Sequence, residues 1–272
     1  MDYLKNAGIM PHRTTEPGEA YLFWCIDGAS ILLTGRTDPA ALTEGVRAIF
    51  GAHLPAGWPE HAPGGVATNS DPTQQGFDFS TRTLLSASRT RLDAHNDGAV
   101  GFSDVYPDLL ALLCETTAPS GGESFMVDGH YLCGAIARDP AQRELTRFLW
   151  AVPIEQCARM EDRPPGTPGF VRSRRPIVSR TVGGRLTVRY NREHQRVLDD
   201  GAVSDADRAH LATWLELGLQ AATAAPRFLL HPGELLVLDN YRVFHGREAY
   251  DGADRFLHRV LGFTDMSMAA QP

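Results

Sequence analysis

The sequence predicts a mainly β protein, built of antiparallel strands with helices inserted between them. Short apolar or alternating runs recur between turn signals, as in "ASILLTG" (29–35), "PDLLALLCETTA" (107–118), "RLTVRYN" (185–191) and the run that ends at "VFHGR" (243–247). Only a few segments hold a helical period. Neither a G-x-G-x-x-G nor a P-loop pattern occurs, so a nucleotide-binding α/β fold has no support. No linker or internal repeat is visible, and a single domain over 1–272 is expected.

Residues 29–35 read as a strand closing on a turn. The segment 38–54 reads as a helix, with Asp38 as cap, Pro39 at the first helical position and apolar residues at helical spacing. The stretch 56–82 is rich in Gly, Pro, Asn and Gln without a clear period, and reads as loop. Residues 107–118 form an apolar run short enough for a buried strand. "PSGGES" then turns the chain into a helix over about 128–137, and 140–153 predicts another. The run "EDRPPGTPGFVRSRRP" (161–176) has four prolines and four arginines and is expected to be a loop, open to use as a lid over an acidic substrate or simply solvated. "RLTVRYN" alternates as a strand should. The segment 204–225 is the clearest helix: Ser204 and Asp207 make a capping box, and Leu211, Trp214, Leu215 and Leu219 share one face.

Hydrophobic residues make up 43% of the chain and charged ones 22%, enough for a sizeable core and against wholesale disorder. A formal net charge of −7 argues against nucleic acid as a partner, because that needs a basic field. Cys25, Cys114, Cys133 and Cys157 are far apart with no C-x-x-C pair, so neither a disulfide framework nor a structural zinc site is expected; the first three sit in apolar runs, as buried free thiols do. With no apolar leader and no run of about 18 apolar residues, the expectation is a soluble cytoplasmic protein without a membrane partner.

The chemistry-bearing residues are His95-Asn96-Asp97 and, far downstream, His245, Arg255 and Arg259. On an extended strand residues i and i+2 face the same way, so His95 and Asp97 can grip one ion together. His245 would complete two histidines and one carboxylate, a set that leaves open positions on a non-haem Fe(II) for a bidentate co-substrate and O2. By themselves these are common patterns. With ten histidines in the chain an H-x-D arises by chance, and a lone His245 reads equally as a core or surface histidine. Arg255 and Arg259 are spaced i, i+4, which on one strand aims both guanidiniums into one cavity; a planar guanidinium suits a carboxylate because it donates two parallel hydrogen bonds. The plain alternative is a pair of surface arginines.

"HND", then "PDLLALLCETTAPSGGESFMVDG", and about 100 residues later "HPGELLVLDNYRVFHGREAY" and "RFLHRV" together resemble the taurine dioxygenase and γ-butyrobetaine hydroxylase superfamily. The similarity runs from about 90 to 265 and is strongest at 107–129 and 231–247. It implies a double-stranded β-helix (jelly roll, cupin-like) and a 2-oxoglutarate-dependent hydroxylase. Its cofactors would be Fe(II), 2-oxoglutarate and O2, with succinate and CO2 released; the resemblance does not specify the substrate, and a small polar metabolite of biosynthesis, acidic or amino-acid-like if Arg259 faces the pocket, is the expectation. His95, Asp97 and His245 would be the metal ligands. Arg255 and Arg259 lie ten and fourteen residues after His245 and match the R-x-x-x-R of taurine dioxygenase-like members. That pattern gives 2-oxoglutarate to Arg255 and an acidic substrate group to Arg259; clavaminate synthase-like members give the later arginine the 2-oxoglutarate role, which leaves the two exchangeable. Ser124 stands where relatives carry a threonine that touches 2-oxoglutarate, and reads otherwise as a turn residue. Tyr190 and Asn191 resemble a pocket-lining segment of the carnitine-pathway enzymes, and are substrate-site candidates or ordinary strand residues.

Halogenases of this superfamily lack the carboxylate ligand, so Asp97 implies oxygen insertion, with desaturation or cyclisation at the same iron site left open. The cysteine-rich N-terminal module of γ-butyrobetaine hydroxylases has no counterpart, Cys25 being the one cysteine before residue 90. Relatives commonly form dimers or tetramers, which leaves a homo-oligomer open without the sequence deciding it. A metal-dependent hydrolase or isomerase on a β-barrel would use the same three ligands, and a non-catalytic binding protein could keep the same fold. His194 and His231 carry no motif and read as structural or exposed.

Overall fold

The computed structural model describes residues 2–55, 58, 66–68, 89–98, 106–159, 170–196, 204–252 and 255–264. In chain order the first strands are β1 (His12–Thr14), β2 (Ala29–Leu33), β3 (Val66–Thr68), β4 (Leu92–His95), β5 (Leu109–Thr116), β6 (Ser120–Gly121) and β7 (Ser124–Asp128). Then follow β8 (Ile154–Arg159), β9 (Phe170–Arg175), β10 (Val178–Arg180), β11 (Leu186–Val188), β12 (Gln195–Arg196), β13 (Glu234–Asp239), β14 (Val243–Arg247), β15 (Tyr250–Asp251) and β16 (Phe256–Gly262). The helices are α1 (Asp2–Asn6), α2 (Pro17–Asp27), α3 (Pro39–Phe50), α4 (Gly129–Arg138), α5 (Arg143–Ala151) and α6 (Asp205–Ala224).

Two sheets position everything else. The larger has the order β1-β2-β13-β5-β16-β3 and the smaller β4-β14-β7. Their pairings are antiparallel except β1 with β2, which run parallel because α2 carries the chain back between them. Side chains alternate across the larger sheet, so each face buries its own set. Leu32, Ala111, Leu113, Leu235, Val237 and Val260 pack with Trp24, Leu42, Val46, Ile49 and Phe50 of α2 and α3. Ile31, Leu110, Leu112, Leu236 and Leu238 turn the other way and meet Met126 and Val243 of the smaller sheet. The far face of the smaller sheet, with Ala94, Phe125, Val127 and Phe244, is covered by α1, α4, α5 and α6. Four layers result, helix–sheet–sheet–helix, and each fully buried Leu or Phe contributes roughly 1.5–3 kcal/mol.

The local signals act as expected at several caps. Asp38 accepts from Ala41 N and Asp128 from Tyr131 N, while Ser204 and Asp207 form a reciprocal capping box at the start of α6. Other expectations need correction. Residues 170–175, placed in the Arg-rich loop, form β9 and pair with β8, so Arg172, Arg174 and Arg175 ride on a strand; residues 161–169 lie outside the described residues. Val66–Thr68, inside the stretch read as loop, is the edge strand beside β16. Helical geometry over 140–153 is confined to a short 3-10 turn and α5. Cys25 is exposed on α2, whereas Cys114 and Cys133 are buried; the Cys157 side chain is outside what is described. His194 is a half-buried turn residue and His231 is exposed.

Tyr190 is a core residue rather than a pocket residue. Its ring is 1% exposed, stacks on Phe244 at 4.9 Å, and its hydroxyl donates to Leu215 O. Helix α6 reaches that ring through Gly218, where an added Cβ would come within 2.0 Å of the ring. Gly218→Ala gains about 1 kcal/mol of helix propensity but must push the ring off Phe244 and Trp214, so a net loss of about 1–3 kcal/mol is expected in urea unfolding.

Candidate metal centre

The site lies between the two sheets. β4 and β14 pair so that His95 and His245 are direct cross-strand partners, and their rings sit 4.5 Å apart between centroids. Between the ligand-bearing strand positions the chain runs very close: a Cβ on Gly246 would lie 2.7 Å from Leu92 O and 2.3 Å from the Phe125 ring, so only glycine fits beside His245. β4 ends at His95, and Asp97 stands in the following turn, which Gly98 closes at φ +72°. This corrects the i, i+2 strand argument: the turn, not strand alternation, swings the Asp97 carboxylate back to the imidazole. His95 Nε2 is 3.1 Å from Asp97 Oδ1. One donor atom from each of His95, Asp97 and His245 falls within 4.8 Å of the others.

The electrostatics suit a cation. His95 Nδ1–H donates to Asp93 O at 2.8 Å, which fixes the ring and leaves Nε2 turned toward Asp97. Burial works to lower the His95 pKa, but the hydrogen bond and charge of Asp97 outweigh it and the pKa is raised. Burial also opposes ionisation of Asp97, yet the His95 hydrogen bond and the Arg259 charge hold its carboxyl well below the usual range. His245 is pushed down to about 3, by burial first and by His95 second, so its ring is neutral. Its Nδ1 is buried and has no hydrogen-bond partner among the described residues. A neutral imidazole with an orphaned nitrogen, a carboxylate and a second imidazole fit a hard or borderline divalent cation.

Ser124, Arg247, Arg255 and Arg259 line the same cleft, together with Leu92, Leu112 and Leu257. Arg259 on β16 donates from Nη1 to Asp97 Oδ2 at 3.3 Å. Arg255 sits at the other end, against Gly122, and its guanidinium lies 5.6 Å from the Tyr250 ring centroid. Arg247 covers the same ring at 4.5 Å and donates from Nη2 to Thr90 O. Burial and then the Arg247 charge lower the Arg255 pKa to about 10. Among the described residues Arg255 makes no ion pair with a carboxylate, so this end of the cleft is a buried cationic cradle. The structure thus brings together His95, Asp97, His245, Ser124, Arg255 and Arg259. It leaves the Tyr190 ring in the core; Asn191 bridges His95 through its backbone, but its side-chain amide is engaged by the backbone N–H of Glu193 and His194 and by the His194 ring.

Sequence reading overlooked Arg247, although the signal was present: it stands two residues beyond His245 and shares its strand face. It also overlooked the amides of Asn96 and Asn240, whose role depends on contacts across more than 140 residues.

Three comparisons bear on this geometry. The sequence model of the taurine catabolism dioxygenase TauD, TfdA family matches residues 29–261. An asparagine oxygenase, solved with Fe(II), 2S,3S-3-hydroxyasparagine and succinate, superposes with a TM-score of 0.59 at 20% identity, over 94% of this chain and 81% of its own. PvcB from Pseudomonas aeruginosa gives 0.57 at 19% identity, over 90% and 79%. AAD-2, solved with Mn(II) and N-oxalylglycine, gives 0.64 at 13% identity, over 94% and 91%.

Proposed function

The chain belongs to the taurine catabolism dioxygenase TauD, TfdA family, a non-haem iron, 2-oxoglutarate-dependent class of enzyme, and from that premise we propose that it hydroxylates an unactivated C–H bond of a small acidic or amino-acid-like metabolite. The observation that carries this reading is the cleft that joins a two-histidine, one-carboxylate cluster to three arginines. We read the facing sheets as the two halves of a double-stranded β-helix, and 1–272 as one domain, because the larger sheet draws strands from residue 12 to residue 262.

In this reading His95, Asp97 and His245 hold Fe(II). Bound there, the iron supplies the centre at which O2 and 2-oxoglutarate react, releasing succinate and CO2 and oxidising the substrate C–H bond. The protein's part is placement. Arg255, with Ser124 beside it, takes the far carboxylate of 2-oxoglutarate, because a half-buried guanidinium with no carboxylate partner among the described residues is stabilised by a bidentate anion. Arg259 leans on Asp97 and offers its remaining N–H groups to an anionic group of the substrate close to the metal. Leu92, Leu112 and Leu257 keep the walls dry, which strengthens each of these charge contacts.

The test is a panel of free amino acids and small carboxylic, sulfonic and phosphonic acids, each supplied with Fe(II) and 2-oxoglutarate and followed by succinate release. Acids are expected to stimulate turnover and their neutral amides to fail; stimulation by neutral compounds alone would remove the acidic-substrate reading. With the stimulating acid in hand, Arg259→Ala should raise its KM by roughly 10- to 100-fold, the worth of one charge-assisted hydrogen bond. It should raise the 2-oxoglutarate KM much less. The opposite pattern would exchange the roles of Arg255 and Arg259.

A further inference from the structure

Asp97 stands in a turn just beyond β4, where His95 still bridges Asn191 and Asn96 N donates to Tyr190 O at 3.2 Å. Beyond those backbone contacts, a pair of buried side-chain amides holds the turn. Asn96 is 3% exposed and Asn240, in the β13–β14 connection, is 0% exposed. Asn96 Nδ2 donates to Asn240 O at 2.8 Å and to Val243 O at 3.1 Å, and its Oδ1 accepts from Tyr190 N at 2.8 Å. Asn240 Oδ1 accepts from Asp97 N at 3.0 Å, and its Nδ2 donates to Asp97 O and to Pro107 O, both at 2.7 Å. Each amide therefore uses both donor hydrogens and its oxygen, and every partner is a backbone group.

The pattern has a direction. Asn240 holds both peptide groups that flank the Asp97 side chain. Asn96, from the residue between the two ligands, holds Val243, two positions before His245 on the same strand face. The two segments that carry the proposed ligands are thus tied to each other through bonds that involve no ligand side chain. A buried amide network of this kind is rigid only when every member is satisfied, and here all are.

We propose that Asn96 and Asn240 are positioning residues that pre-set Asp97 against His95 and His245, so that the cation meets a finished site. This inference rests on the metal-centre reading. Any residue with a small polar side chain can follow His95 in an H-x-D pattern; in this chain asparagine is required because one side chain must span two carbonyls and one N–H at once.

The test uses the full-length protein in anaerobic Co(II) and Fe(II) titrations by calorimetry, with urea unfolding of the metal-free form measured in parallel. Asn96→Ser and Asn240→Ser are expected to weaken metal binding by about 10- to 100-fold, the usual effect of removing the groups that orient a metal ligand. Combining them should add little, because the two share one network. Ser30→Ala is the control: Ser30 is a buried residue of β2 whose hydroxyl donates to Ala20 O, outside the amide network, and its loss should reduce stability while leaving metal affinity within about twofold. Should the serine variants not fold, Asn96→Asp keeps the acceptor for Tyr190 N, loses both donors, and should still weaken the metal. Metal affinity within about twofold of the native protein in folded Asn96 and Asn240 variants, whatever their stability, would overturn the proposal and leave the amides as fold-stabilising groups only. Native protein that binds neither Co(II) nor Fe(II) would instead remove the metal centre itself, and the inference with it.

Discussion

Arg255→Ala is expected to raise the KM for 2-oxoglutarate by about 100-fold or more, the equivalent of two charge-assisted hydrogen bonds at 1.5–3 kcal/mol each. Arg255→Lys should recover only part of this, because an ammonium offers a point charge where a fork is needed. The same substitution should act with the opposite sign on the metal-free protein. Arg255 is half-buried beside Arg247, and burial and that like charge already lower its pKa to about 10. Removing it relieves a desolvated cation, so the apo-protein's thermal midpoint should hold or rise. Added to the Fe(II)-loaded protein, 2-oxoglutarate should raise the midpoint of the native protein further and leave that of Fe(II)-loaded Arg255→Ala nearly still. A variant that loses apo stability and keeps its 2-oxoglutarate KM would return Arg255 to the role of a structural cation.

His245→Ala is the second large effect. Its ring is the direct cross-strand neighbour of His95 and its Nδ1 makes no hydrogen bond among the described residues, so the side chain contributes little polar bonding to the fold. Loss of this ligand should cut iron affinity by more than the roughly 10- to 100-fold that follows removal of an orienting group. Fe(II)-dependent succinate release should fall below detection, with the far-ultraviolet dichroism spectrum unchanged. Iron content after anaerobic reconstitution, measured beside succinate, separates this from unfolding. Native iron content in the variant would show that the ion sits elsewhere.

The parts of the fold legible in the sequence were those set by local chemistry. Asp38-Pro39 and the Ser204/Asp207 pair mark helix starts because they satisfy N–H groups within their own first turn. The apolar runs that became β5 and β13 are the centre of the larger sheet, where both faces are covered and every position can be apolar. What failed depended on distant partners. Nothing local in "FVRSRR" shows that β8 will pair with it, so prolines upstream dominated the reading. Strand alternation around Tyr190 gives two faces but does not say which one α6 will cover, and α6 covers the tyrosine.

The site shows the same division. The residue types and spacings of His95, Asp97, His245, Arg255 and Arg259 are common patterns by themselves, and it was the family resemblance of the motifs around them that brought them forward. Arg247 was overlooked although its place two residues beyond His245 was a signal, whereas the two asparagines work through contacts between the turn after β4, β14 and the connection that precedes β14. Asp97 was found for a reason the structure corrects: it is held by a turn and by the Asn240 amide, not by strand alternation. Among the described residues no helix is long and apolar enough to cross a membrane, in line with the sequence expectation on that point.

The central claim is that His95, Asp97 and His245 form an iron centre with Arg255 as the 2-oxoglutarate anchor. The most direct measurement is an anaerobic visible spectrum of the metal-free protein titrated with Fe(II) and then 2-oxoglutarate, beside Asp97→Ala and Arg255→Ala. A metal-to-ligand charge-transfer band that saturates in the native protein and is lost or greatly weakened in both variants is the expected result. Folded, iron-loaded native protein that develops no band on addition of 2-oxoglutarate would contradict the account and move the three ligands to a hydrolytic or purely binding role.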